Sequence, residues 1–385
     1  MFRKMMIQSL RRSNTLSSSV NKLGRFGFAS RAASLPQQTY GNVGVGVDEY
    51  ADVDWDSIGF GVVPTDYMYV MKCSKDQNFE RGKLNPYGNI ELSPAAGVLN
   101  YGQGLYEGTK AQRTKDGRVL LFRPDQNGIR MREGAQRFCM PAPSITQFLD
   151  SVKETALANK RWIPPPGKGS LYIRPMLMGS GPILGLAPAP EYTFLVYASP
   201  VRNYFKEGIA ALNLYVEEEY DRASPGGAGG IKSITNYAPV LKAITRAKNR
   251  GFSDVLYLDS VNKKYLEEVS SCNIFIVKGN VISTPSTAGT ILPGVTRKSI
   301  IEIARDYGYK VEERGVMVDE LSEADEVFCT GTAVGVVPVG TITYKGQRME
   351  FRVGDESTCS RLYSTLVGIQ SGIIEDKKGW TMEVV

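Results

Sequence analysis

Four glycines and a single lysine crowd the segment SPGGAGGIKSITNYAP, Ser224–Pro239. A lysine in such a loop can do two kinds of chemistry. In the pattern G-x-x-x-x-G-K-[ST], backbone N–H groups and the lysine cradle the phosphates of a nucleotide. Gly226 and Lys232-Ser233 fit that spacing, but Ile231 stands where the pattern needs glycine. Alternatively, the Lys232 amine is itself reactive and forms an imine with a cofactor aldehyde, the glycines making room for the ring. A flexible surface loop carrying a solvated lysine is the third reading.

The chain contains no histidine. A Ser-His-Asp triad, an H-E-x-x-H metal site and an imidazole general base are therefore all excluded. Proton transfer near neutral pH falls to lysine, tyrosine, a carboxylate or a cofactor. Other segments offer partners for such chemistry. GVTRKSIIEIA places Val295 and Thr296 at the start of an amphipathic pattern, where free N–H groups and the helix dipole favour an anion. In EVSSCNIF, Glu268 stands among small and apolar neighbours, where a carboxylate could hold the proton of a pyridine nitrogen; a solvent-facing glutamate on a strand edge is the plainer reading. Tyr237, five residues beyond Lys232, could reach the same ring from the start of a helix or could simply pack. Thr332 and Ala333 sit in a Gly-Thr turn whose amides could hold a carboxylate or phosphate.

The elements that must position these residues follow a regular order. The stretch from about Asp54 to Pro200 predicts an α+β domain. YMYVMKC, VLLFRP, LYIRPMLMG and YTFLVYASP read as its strands, and Ser144–Trp162 as a helix by its apolar spacing. SPVRNYFKEG then interrupts the pattern. Beyond it ALNLYVEEE, DVLYLD, a hairpin turning at Gly279-Asn280, and EVFCTGTAVGVVPV read as strands, with helices over Thr235–Arg250 and Thr296–Gly308. The organisation expected is a leader over 1–47, a small domain over 48–200, an interdomain loop over 201–212 and a larger domain over 213–385. The fold class is α/β (α+β), with two mixed-sheet domains.

The formal net charge of +6 is unevenly placed. Residues 1–47 carry seven Lys and Arg and no acid, so the remainder is close to neutral and predicts no nucleic-acid partner. The basic, serine-rich leader reads as an organellar transit peptide, RFGFAS favouring a mitochondrial over a chloroplast address. No apolar run reaches the eighteen or so residues of a bilayer span, so no membrane partner is expected. The cysteines are five in number and lack C-x-x-C spacing, which predicts neither a disulfide framework nor a zinc or other metal site.

Taken together, GGIKSITNY, EVSSCNIF, ILPGVTR and CTGTA resemble, in order and separation, the class IV pyridoxal-phosphate enzymes, and most closely the branched-chain amino-acid aminotransferases. The resemblance runs from about Phe60 to the C-terminus; YGQGLYEGTKA, LFRPDQNGIRMREGAQRFCMP and LYIRPMLMGSGP are similar to that family's small domain, and leader plus body to its plant organellar members. It implies pyridoxal 5′-phosphate as cofactor, Lys232 as the imine-forming lysine and proton carrier, Glu268 at the pyridine nitrogen and Tyr237 at the phenolic oxygen. It implies Arg130, Val295, Thr296 and Thr332 at the phosphate, with Arg222 on the cofactor side. For the substrate it implies Thr332 and Ala333 at the α-carboxylate with Tyr101, Tyr172 and Arg174 nearby. Phe60, Tyr106, Tyr172, Leu186 and Tyr204 would lie against the aliphatic side chain, and Tyr204 would come from the interdomain loop acting as a lid. Substrates would be amino acids and 2-oxo acids, and the assembly a homodimer. The family's animal mitochondrial members carry a redox-sensitive C-x-x-C after the Gly-Thr-Ala turn, where this chain has Val334 and Val337, so no thiol switch is expected there. D-amino-acid aminotransferases and aminodeoxychorismate lyases share the lysine and glutamate and remain rivals within the fold; a P-loop nucleotide hydrolase is the rival outside it.

Overall fold

The computed structural model of the chain describes residues 50–202 and 210–384. The leader, and with it the transit-peptide reading, lies outside the described residues, as does Tyr204. Seven strands precede residue 202: β1 (Tyr67–Ser74), β2 (Lys83–Pro86), β3 (Gly104–Tyr106), β4 (Thr109–Arg113), β5 (Val119–Phe122), β6 (Ser170–Gly179) and β7 (Glu191–Val201). Ten follow residue 211: β8 (Leu212–Glu217), β9 (Asp254–Leu258), β10 (Leu266–Val269), β11 (Asn273–Lys278), β12 (Val281–Pro285), β13 (Lys310–Arg314), β14 (Glu326–Gly331), β15 (Gly335–Tyr344), β16 (Gln347–Glu350) and β17 (Thr381–Glu383). Six α-helices accompany them among the described residues: α1 (Gly97–Tyr101), α2 (Pro124–Arg137), α3 (Ile145–Ala158), α4 (Leu241–Asn249), α5 (Val295–Asp306) and α6 (Thr358–Gln370).

The first sheet runs β17-β5-β4-β6-β7-β1-β2 and is antiparallel throughout. Strands β3 and β4 lie end to end along one edge of β6, Tyr106 opposite Met176 and Thr109 opposite Ile173. Between them Glu107 and Gly108 leave the ladder. The apolar face of this sheet packs on α2 and α3 through Leu121, Phe148, Val152, Leu171 and Phe194. In α2 the buried residues Asn127, Arg130, Met131, Gly134 and Ala135 recur at helical spacing, so a polar pair shares the inward stripe with apolar residues. Ser144 caps α3 through a reciprocal bond pair with Gln147, as the helix expected from that serine requires.

The second sheet is mixed and closes on itself. Strands β10-β9-β8-β15-β14-β11 pair in sequence, and Glu268 of β10 pairs again with Asn273 of β11, completing a six-stranded barrel. Two of its contacts, β8 with β9 and β8 with β15, are parallel. Farther along, β11 gives the same edge to β12, which pairs in parallel with β13. Helices α5 and α6 cover this part with a core of Phe275, Ile300, Phe328, Leu362 and Leu366.

Two departures from the sequence-based expectation have local causes. The helix expected from Thr235 begins at Leu241; Ile234–Asn236 form a separate 3-10 turn. Pro239 biases Ala238 away from helical torsions, so the two pieces cannot fuse, and Tyr237 closes the short turn instead of opening the helix. The last strand, β17, crosses back to the first sheet and pairs with β5, Thr381 opposite Phe122.

Candidate active site

Lys232 is held beside the first sheet. Its carbonyl accepts from the N–H of Tyr106 at 3.1 Å, and Ser233 bridges to Leu105 of β3. The glycine-rich loop before it packs on Gly289 and Thr290, the Gly230 N–H donating to the Gly289 carbonyl at 2.8 Å. A Cβ at Gly229 would lie 2.3 Å from the Thr290 carbonyl oxygen, so that approach requires glycine. The glycines therefore serve loop packing that aims the lysine. Lys232 Nζ stands 4.6 Å from the centroid of the Tyr106 ring and 5.9 Å from that of Tyr237. The two rings meet edge to face at 5.1 Å, and the Arg174 guanidinium lies 4.7 Å from the Tyr106 centroid. Tyr106 thus presents its negative π-face to two cations.

Lys232, Tyr106 and Arg174 border a cavity of about 130 Å³ between the barrel and the first sheet, and Tyr237 stands outside its lining. A cavity of roughly 150 Å³ is known to take in benzene, so the space suits one aromatic ring. Phe60, Tyr106, Arg130, Tyr172, Arg174, Lys232, Val295, Thr296, Thr332 and Ala333 all line it. Phe60 and Tyr172 meet edge to face at 5.3 Å. Tyr101 and Leu186 stand outside: the Tyr101 hydroxyl donates to the Leu184 carbonyl, and Leu186 is 87% exposed.

Glu268 lies just behind the wall, fully buried. Because it pairs directly with Asn273, their side chains emerge on one face, and Asn273 Nδ2 donates to Glu268 Oε1 at 3.0 Å. The Leu292 N–H donates to the same oxygen, and Arg222 Nη2 sits 2.8 Å from Oε2. Asn273 Nδ2 also donates to the Leu292 carbonyl, and a Cβ at Gly294 would fall 2.1 Å from Asn273 Oδ1. Burial pushes the Glu268 carboxyl up to about 7 against the opposing pull of Arg222 and the Leu292 N–H. Burial is the largest influence on the Arg222 cation and disfavours it, but Glu268, Tyr237, Glu267 and Tyr106 together outweigh burial and the guanidinium stays above its ordinary value.

The pH consequence has a definite sign. Since the folded value of Glu268, about 7, exceeds the ordinary 4.5, the stability from this group is fully present below 4.5 and is lost as pH rises to about 7. The wild-type protein without cofactor should lose on the order of 3 kcal/mol over that window relative to a Glu268→Gln variant. Parallel melting curves of the two at pH 4.5 and 7.5 would disprove this.

The opposite end of the cavity is a helix N-terminus. Gly294 caps α5 with extended torsions, leaving the first N–H groups, those of Val295 and Thr296, on the cavity wall. Arg130 approaches from α2, its Nε and Nη2 bonded to both oxygens of Glu107 at 2.7 and 2.8 Å and its Nη1 donating to the Pro293 carbonyl at 3.0 Å. Asn127 donates to Glu107 at 2.8 Å from one turn earlier. Thr332 and Ala333 occupy the turn between β14 and β15, where Gly331 and Gly335 pair. Thr330 Oγ1 and Arg174 Nε, on residues that line the cavity, have no protein partner. Glu107 and Asn273 escaped residue-by-residue reading although YGQGLYEGTKA and EVSSCNIF contain them: the Glu107 partner Arg130 stands on another element, and Asn273 meets Glu268 only because β10 and β11 pair back. Val334 lines the cavity and Cys329 is buried in β14; among the described residues all five cysteines are unpaired. No group of side chains with metal-ligand character gathers among the described residues.

Comparison with known proteins agrees with this geometry. Residues 104–342 match the amino-transferase class IV family. The chain is 72% identical over 339 residues to branched-chain-amino-acid aminotransferase 2, chloroplastic, of Arabidopsis thaliana, covering 88% of this chain and 87% of that protein. It is 68% identical over 336 residues to branched-chain amino acid aminotransferase 1, mitochondrial, of Humulus lupulus, covering 87% and 86%. A solved branched-chain aminotransferase of the archaeon Thermoproteus uzoniensis, with norvaline, superposes with a TM-score of 0.71 at 26% identity, over 83% of this chain and all of that one. Barrel closure, a lysine on the wall of a ring-sized space with a buried glutamate bonded to two of its lining residues, and likeness along nearly nine-tenths of the chain converge, and the chain belongs to the class IV aminotransferase family, among its branched-chain amino-acid aminotransferases.

Proposed function

We propose that this chain is a pyridoxal 5′-phosphate-dependent transaminase that passes the amino group of L-leucine, L-isoleucine or L-valine to 2-oxoglutarate, yielding branched-chain 2-oxo acids and L-glutamate. The observation that carries this reading is the placement of Lys232 on the wall of a ring-sized cavity backed by buried Glu268, with the α5 amides at its other end. The residues fit the cofactor. An N-terminal helix end beside Arg130 suits a phosphate, and a buried carboxylate with its own arginine suits a ring nitrogen. The unpartnered Arg174 Nε and Thr330 Oγ1 suit an oxygen-rich substrate.

When bound, the cofactor supplies an electron-withdrawing ring and carries the amino group between donor and acceptor. Arg130, the Val295 and Thr296 amides and the Thr332 hydroxyl hold its phosphate. Glu268, whose anion Arg222 favours against burial, would hold the proton on the ring nitrogen, and Tyr237 would donate to the phenolic oxygen. Lys232 Nζ anchors the aldehyde carbon and, as a free uncharged amine, takes the substrate Cα proton and returns it on the other side of the transfer. The Thr332 and Ala333 amides orient the α-carboxylate, while Phe60, Tyr106 and Tyr172 exclude water around the aliphatic side chain. Arg174, with Tyr172 at its side, meets the second carboxylate of the acceptor, so one cavity takes both aliphatic and acidic side chains. The 201–212 stretch divides a small domain from a larger cofactor-binding one. Incubation of the purified protein with L-leucine and 2-oxoglutarate should yield L-glutamate and a 2-oxo acid in equal amounts; activity confined to D-leucine would overturn the reading.

Two further parts belong to this proposal. Tyr101 and Leu186 lie outside the cavity of their own chain, and with Leu184, 91% exposed, they offer apolar surface to a second copy. A homodimer in which they complete the neighbouring site follows, and Leu186→Asp should halve the mass seen by light scattering. The acid-free basic leader, with relatives named chloroplastic and mitochondrial, supports an organellar address, and we place it in the mitochondrion. Residues 1–45 fused to a fluorescent protein should colocalise with a mitochondrial dye; plastid or cytosolic fluorescence would refute it.

A further inference from the structure

The wall formed by Val295, Thr296 and Thr332 has a second side. There a small space of about 20 Å³, room for one water, is lined also by Lys110, Gln112 and Asn127. Lys110 stands on β4, and its Nζ donates to the Ala333 carbonyl at 3.1 Å, next to Thr332. It is only partly exposed, and among the described residues no carboxylate pairs with it. No other residue around this space is charged. Burial without a counter-charge pulls the amine down to about 8. Arg130 is in the opposite condition: its guanidinium grips both oxygens of buried Glu107, so its charge is already matched inside the protein.

A phosphate group carries about −1.5 to −2 charges, and a cradle of Arg130 with Glu107 sums to none. Lys232 and Arg174 both flank the Tyr106 ring, and the proposed roles commit them to the aldehyde and the substrate. Among the described residues that line the two spaces, Lys110 is the cation left over, on the far side of the wall that the cradle shares. Its acceptor, the Ala333 carbonyl, belongs to the turn that brings Thr332 to the cradle. We propose that Lys110 supplies the net positive charge that balances the cofactor phosphate, while Arg130, neutralised by Glu107, supplies direction. This inference rests on the reading of the cavity as a pyridoxal-phosphate site.

The test compares ligands with and without the phosphate. Affinities of the cofactor-free protein for pyridoxal 5′-phosphate, pyridoxal and inorganic phosphate are measured by quenching of intrinsic fluorescence, in wild type, Lys110→Met and Lys110→Arg. Lys110→Met should bind pyridoxal 5′-phosphate and inorganic phosphate about tenfold or more weakly and pyridoxal within about twofold, and Lys110→Arg should recover most of the loss. The salt dependence of pyridoxal 5′-phosphate binding should also be shallower in Lys110→Met. Equal weakening toward pyridoxal and its phosphate would make Lys110 a mere support of the turn and overturn the proposal, as would unchanged affinity for both. If Lys110→Met does not fold, Lys110→Gln carries the same comparison. Should the wild type itself take up neither form, the cofactor reading fails first, an outcome distinct from equal weakening.

Discussion

Replacing Lys232 by alanine is expected to abolish turnover of L-leucine with 2-oxoglutarate, by at least about 10⁴-fold, and to remove the visible absorbance of the lysine-bound cofactor. Lys232 is the only lysine lining the larger cavity among the described residues. Lys110, the other nearby amine, lies behind the Thr332–Ala333 turn and donates to a carbonyl there, so it cannot take over at the same carbon. The fold should tolerate the change. The contact that seats this segment, the Tyr106 N–H on the Lys232 carbonyl, belongs to the backbone and survives in alanine. A melting temperature near wild type with no absorbance and no turnover is the expected combination. A Lys232→Ala protein that still cycled would mean that a different amine does the chemistry.

Glu268→Gln is expected to lower kcat by roughly 10²- to 10³-fold, the range of a lost charge-assisted contact in a dry site. The amide keeps an oxygen for the Leu292 N–H but cannot become an anion beneath the ring nitrogen. Its structural cost is separable. With an amide in its place, Arg222 is a buried cation facing a neutral group, as it faces the protonated carboxyl of the wild type below about pH 7. Replacing Arg222 by leucine in the Gln variant removes that buried charge and should raise stability without restoring activity. A double variant that recovered both would show the pair to be only a structural bridge. Since the wild-type carboxyl is held up at about 7 by burial, its anionic form is lost as pH falls through that value, and activity should decline on that side. The Gln variant should lack this limb.

The chemistry was legible where the reacting groups lie in contiguous segments. Lys232 with its glycines, Glu268 among small and apolar neighbours, and the Val295-Thr296 helix start each occupy one run of sequence, and local features were enough to single them out. What joins them is not local. That β8 lies parallel to β15 in the barrel depends on contacts more than a hundred residues apart, for which spacing carries no signal. Glu107 carries no signal of its own in the sequence because its partner sits on another element; only folding brings Arg130 onto it. Lys110 was silent for a related reason, since its isolation from carboxylates is a property of the space around it. The helix over Thr235–Arg250 was placed too early because amphipathic periodicity outweighed Pro239, whose ring acts on the residue before it. Tyr101 and Leu186 were grouped with the substrate residues, and within one chain they stand apart from them.

The return of β17 to β5 bears on how the chain is made. The β5 edge stays uncovered until its partner, Thr381–Glu383, has been made. Trp380, wedged against Phe122 and the Arg123 guanidinium, arrives at the same moment. Until then synthesis leaves an open strand edge, a template for pairing with other nascent chains. A stop codon just before Thr381 would make that opening permanent, and such a product is expected to accumulate in inclusion bodies even though each residue around its cavity has been translated.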